Sequence, residues 1–146
     1  MIAVILSGHG GFASGIAKAI TQVIGEQPQF GFIDFPEEST TPLLEQEMRQ
    51  KIRELDSNEG IVFLTDLLGG TPFRTASLIS QERSDIQVIT GTNMQMAAEM
   101  LLERDGLALA EFPDQAIECG RRGVTSLAAE MTTKNDNSVM VEENGI

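Results

Sequence analysis

The chain has no tryptophan and no tyrosine, and only one histidine and one cysteine among its 146 residues. Without Trp or Tyr it lacks the side chains on which unpaired bases or sugar rings usually stack, so direct sugar binding is not expected. A lone Cys119 cannot close an internal disulfide and reads as a small buried residue. No apolar run approaches the roughly 20 residues of a membrane-spanning helix, and no cationic-then-apolar leader opens the chain, so a cytoplasmic location is expected. Basic residues are scarce: ten Lys and Arg face twenty-two Asp and Glu, a net charge of −12. Such a surface repels nucleic acid and anionic lipid headgroups and favours partners that carry basic patches. A Gly-x-x-x-x-Gly-Lys-Ser/Thr loop for a nucleotide is also missing.

What is present is a composition 41% hydrophobic, enough for a core, in a chain of single-domain length. Ile2-Ala3-Val4-Ile5-Leu6 is apolar without alternation, as in a strand covered on both faces, and Ser7-Gly8-His9-Gly10-Gly11 breaks it. Phe12, Ile16, Ile20, Val23 and Ile24 recur at helical spacing up to Gly25. Phe30 to Phe35 reads as a second strand. Thr41-Pro42 reads as a cap and first turn, with Leu44, Met48, Ile52 and Leu55 as the buried stripe of a helix. Ile61 to Thr65 is a third strand, after which Thr71-Pro72 repeats the cap-plus-proline start. Ile86 to Thr90 is a fourth, followed by a turn and a helix whose face is Met94, Ala97, Ala98, Leu101 and Leu102. A last helix is expected from about Pro113 to Gly120. We expect one domain over residues 1–130 and a polar tail over 131–146.

Four alternations of strand and helix predict an α/β fold of three layers, with a parallel sheet of order 2-1-3-4. Ligands of such sheets collect beyond the carboxyl ends of the strands, at the switch point between strands 1 and 3. His9 follows strand 1, Asp66 follows strand 3, and both loops are glycine-rich with a helix start behind them. Neutral imidazole is a nucleophile near neutral pH without a separate base, provided its other nitrogen holds the proton. A carboxylate accepting that N–H fixes the tautomer and steadies the cation formed on phosphorylation, which is the role expected of Asp66. Gly8, Gly10, Gly69 and Gly70 would let backbone amides approach phosphate oxygens, aided by the Thr71 hydroxyl and the helix it is expected to cap. The sequence thus points to a phosphoryl carrier that receives its phosphate from another protein and needs neither cofactor nor metal.

Together, several segments resemble the IIA components of the mannose-type sugar phosphotransferase system. They are Gly8-His9-Gly10, Ile33-Asp34-Phe35, Asp66-Leu67-Leu68-Gly69-Gly70-Thr71-Pro72-Phe73 with Ala76-Ser77, Gly91-Thr92-Asn93 with Met96, and Gly120-Arg121-Arg122-Gly123-Val124. The likeness runs from Met1 to about Leu127. It implies that His9 takes phosphate from the phosphocarrier HPr and passes it to a histidine of the matching IIB component. Sugar uptake and phosphorylation then involve the membrane components IIC and IID. Asp66 matches the acid that hydrogen-bonds the active histidine, and Thr71 stands where the family carries a hydroxyl. Gln95 stands where relatives have Pro and Leu68 where an aromatic is common; these departures bear on the sugar branch, which looks like that for N-acetylgalactosamine or galactosamine. The resemblance also implies a homodimer joined by an exchanged terminal strand. Val124-Thr125-Ser126-Leu127 is β-prone and could supply it as an antiparallel edge strand, although Leu127-Ala128-Ala129-Glu130 favours helix.

Two rival readings come from other classes. Gly8, Gly10 and Ala13 satisfy a Gly-x-Gly-x-x-Ala fingerprint, with Asp34 at the end of strand 2, as in a Rossmann-like dinucleotide-binding domain. Asp66 after strand 3 could instead be the acceptor of a receiver-like domain, but such a domain needs an acidic pair after strand 1, where Ser7-Gly8-His9 stands.

Overall fold

The computed structural model describes residues 1–55 and 58–136. Four strands, β1 (Ala3–His9), β2 (Phe30–Phe35), β3 (Ile61–Thr65) and β4 (Ile86–Ile89), form one all-parallel sheet of order β2-β1-β3-β4, as expected. Helices α1 (Phe12–Ile24), α2 (Thr41–Leu55), α3 (Thr71–Ser80), α4 (Met94–Glu103) and α5 (Phe112–Arg122) cover it, and α6 (Leu127–Asp136) follows.

Strand alternation divides the core between the two faces of the sheet. Val4 and Leu6 of β1 with Val62 and Leu64 of β3 pack against α1, α4 and α5. Ala3 and Ile5 with Ile33, Ile61 and Phe63 pack against α2 and α3. Continuing the alternation puts Gly8 on the α1 face and His9 on the α2/α3 face.

The helical stripes need correction in detail. In α1 the buried positions are Ala13, Ala17 and Ile20, while Val23 is exposed; in α4, Met96 and Met100 are buried and Leu102 is exposed. Short or flexible side chains line much of the inner faces of these helices, and aliphatic size alone does not single them out. Thr40, not Thr41, caps α2, its Oγ1 accepting from the Leu43 N–H at 3.3 Å. The expected antiparallel edge strand at 124–127 is not formed in this chain. Gly123 ends α5, Val124 to Ser126 are irregular, and helix resumes at Leu127, where the Ser126 hydroxyl accepts from the Ala129 N–H at 3.0 Å. Helix propensity and a serine cap prevail over the β preference of Val124 and Thr125. The part of the expected tail beyond residue 136 lies outside the described residues.

Candidate functional site

His9 is the last residue of β1 and Asp66 the first residue after β3, the strand paired beside it. Adjacent parallel strands that end at one level bring the two together: Asp66 Oδ2 accepts from the His9 backbone N–H at 2.8 Å and lies 2.9 Å from His9 Nδ1. The His9 side chain is 44% exposed and that of Asp66 15%. Burial alone pushes the Asp66 carboxyl up, but the backbone N–H and ring of His9 outweigh it and hold it below the ordinary aspartate value. An ionised carboxylate only accepts hydrogen bonds, so Nδ1 carries the proton. The lone pair of the neutral ring is therefore on Nε2, the nitrogen away from Asp66.

The glycines do different work from that expected. A Cβ at Gly70 would lie 2.7 Å from His9 Cε1 and 3.4 Å from Nε2, so only glycine lets the chain pass this close to the imidazole. A Cβ at Gly8 would meet the Phe12 ring at 2.5 Å and Asp66 Cγ at 3.0 Å; Gly8 makes room for the carboxylate. Gly69 has φ +80°, a turn conformation that suits glycine. The Gly10 N–H is taken up by the Phe35 carbonyl at 2.8 Å and that of Gly70 by the Leu67 carbonyl at 3.0 Å. The expectation that these two amides face phosphate oxygens is corrected accordingly. Gly70 is the N-cap of α3, and Thr71 and Pro72 form its first turn, so Thr71 is inside the helix instead of capping it. Pro72 has no N–H, and the N–H groups of Thr71 and Phe73 precede the first possible intrahelical acceptor, leaving a positive helix end beside His9.

Two residues to which the carrier reading gives no role complete the surroundings. Phe35 lies across the sheet from His9, their ring centroids 5.9 Å apart at 76°. Asp34 faces the other way and its Oδ1 accepts from the Ser14 N–H in the first turn of α1 at 2.8 Å. Both belong to the Ile33-Asp34-Phe35 segment, and strand alternation next to His9 was the signal that could have assigned them.

This geometry removes the dinucleotide reading. The Gly-x-Gly-x-x-Ala fingerprint works by offering a helix N-terminus to a pyrophosphate, and here Asp34 already holds that of α1. The receiver-like reading fails as well, because Asp66 is mostly buried and its Oδ2 is engaged by His9. Gln95 bonds Glu99 on α4, and Leu68 projects into solvent at 73% exposure.

The family model described as the PTS system fructose IIA component (EIIA-man) matches residues 3–117. The mannose-specific EIIAB component of Escherichia coli (strain K12) is 37% identical over 135 residues, 91% of this chain and 42% of that protein. The chain thus spans about two fifths of that relative's length. The fructose-specific EIIA component of Bacillus subtilis (strain 168) is 28% identical, with 77% of each chain covered. The crystal structure of a phosphotransferase system component EIIA from Streptococcus agalactiae superposes with TM-score 0.82 at 29% identity, covering 88% of this chain and 99% of that one. With a matching family model, matching relatives and a matching solved structure, the chain belongs to the EIIA-man family, the fructose- and mannose-type IIA components of the phosphotransferase system.

Proposed function

We propose that the chain is a phosphoryl carrier of a sugar-transporting phosphotransferase system, accepting phosphate on His9 from phospho-HPr and passing it to the cognate IIB component. The observation that carries this reading is the pairing of Asp66 Oδ2 with both the backbone N–H and Nδ1 of an exposed histidine. In the first step the Nε2 lone pair attacks the phosphorus of the donor's phosphohistidine. The donor's P–N bond breaks, its electron pair returns to the donor ring, and the proton on His9 Nδ1 stays in place. The cationic ring this creates faces the Asp66 carboxylate. Transfer to IIB is the same step with His9 as the leaving group.

The phosphate oxygens face the start of α3, where the N–H groups of Thr71 and Phe73 and the Thr71 hydroxyl oppose their charge. Leu67 and Leu68, both exposed beside Asp66, offer apolar contact to a docking protein, and the net charge of −12 suits a basic one. Residues 1–130 form the phosphotransfer domain of this reading. Its working state is a homodimer, in which a second copy covers the exposed Val124, Leu127 and Met131. No helix among the described residues is long and apolar enough to cross a membrane. We place the carrier in the cytoplasm, acting for the membrane components IIC and IID, and its sugar in the N-acetylgalactosamine or galactosamine branch.

The test is incubation with phosphoenolpyruvate, Enzyme I and HPr, followed by mapping of the phosphate by mass spectrometry. Wild type is expected to carry acid-labile phosphate on His9. His9→Ala is expected to keep its circular dichroism and take up none; phosphate on that variant would overturn the carrier reading.

A further inference from the structure

The His9 ring is bounded on three sides. Asp66 fixes Nδ1, and Gly70 runs beside Cε1. The third side is Phe35. Parallel register places it directly opposite His9, on the same face of the sheet. The two rings stand nearly perpendicular, at 76°, with centroids 5.9 Å apart, within the range of edge-to-face aromatic pairs. Phe35 is itself anchored. Its side chain packs against the core cluster between the sheet and helices α2 and α3, and its carbonyl accepts the Gly10 N–H at 2.8 Å. One residue therefore grips both the ring of His9 and the backbone just after it.

Such a wall matters because the histidine χ2 torsion is broad, and a single hydrogen bond at Nδ1 leaves the ring able to rock about that contact. Rocking would swing Nε2, at the opposite corner, away from the line of attack. We propose that Phe35 is a positioning residue for phosphoryl transfer: packed crosswise on the imidazole, it restricts χ2 and keeps Nε2 directed at the opening. The proposal rests on the reading of His9 as the phosphoryl acceptor, yet the ring contact can be tested apart from it.

His9 is the only histidine in the chain, so 15N-edited NMR of the imidazole reports a single ring. Wild type, Phe35→Leu and Phe35→Tyr are compared in these spectra and in single-turnover phosphorylation by phospho-HPr, well below their melting points. Wild type and Phe35→Tyr, which keeps the ring, are expected to give one sharp set of signals with Nδ1 protonated. Phe35→Leu is expected to broaden or average them and to slow transfer about tenfold at saturating donor, with the donor's apparent affinity unchanged. Should the Leu variant unfold, Phe35→Met carries the same two readouts. Spectra and rates in the variant lacking the ring that match wild type would overturn the proposal, as would a Phe35→Tyr variant as slow as Phe35→Leu. If wild type takes up no phosphate, the carrier reading fails, while the spectra still decide whether Phe35 orders the ring.

Discussion

Asp66 is the residue on which geometry and charge meet most directly. Replacing it by Asn keeps the shape but exchanges a charge-assisted hydrogen bond of roughly 1.5–3 kcal/mol for a weaker neutral one, so transfer should slow about tenfold to a hundredfold. The same contact has a signature in stability. The Asp66 carboxyl is held below its ordinary value of 3.8, so its contribution is complete above that value and is lost as pH falls through the lower folded-state value. Denaturant titrations at a series of pH values should show wild type exceeding Asp66→Asn at neutral pH, the gap closing below pH 3.8. Unchanged transfer and a gap independent of pH would remove Asp66 from the mechanism. The meeting of His9 and Asp66 was legible in the sequence because each stands at the carboxyl end of a strand, His9 closing β1 and Asp66 just past β3, and strand order alone sets which strand ends are neighbours. The task of each glycine was not. Whether an amide faces a ligand or a carbonyl depends on turn geometry, and Gly10 and Gly70 both turn theirs inward.

Among elements, the start of α1 shows why its fingerprint misleads. Gly11 at the N-cap has no side chain to offer, and Asp34 reaches over from β2 to accept the Ser14 N–H in its place. Asp34→Ala should cost about 1 kcal/mol, the usual worth of a lost cap, seen as a lower urea midpoint with an unchanged slope. An unaltered midpoint would show that the contact contributes nothing. The cap comes from a different strand, so no local pattern around Gly11 announces it. Local patterns did find every strand and each of α1 to α5, because apolar periodicity is a property of contiguous residues. They failed at Val124 to Glu130, where strand and helix preferences compete within a few residues and no buried stripe arbitrates: Val124, Leu127 and Met131 are all exposed.

For the whole molecule, those exposed side chains set the assembly prediction. Removing the chain from Val124 onward should leave a folded protein that scatters light as a monomer where the full chain scatters as a dimer. A truncated chain that remains dimeric with unaltered stability would show that this segment is not the link. The open edge of His9 has a consequence of its own for timing. With Asp66, Gly70 and Phe35 closing the other sides, the proposed carrier would present one doorway, in which a donor and a recipient protein could not stand together. On that reading the two would visit in turn, and each partner is expected to act as a competitive inhibitor of the other.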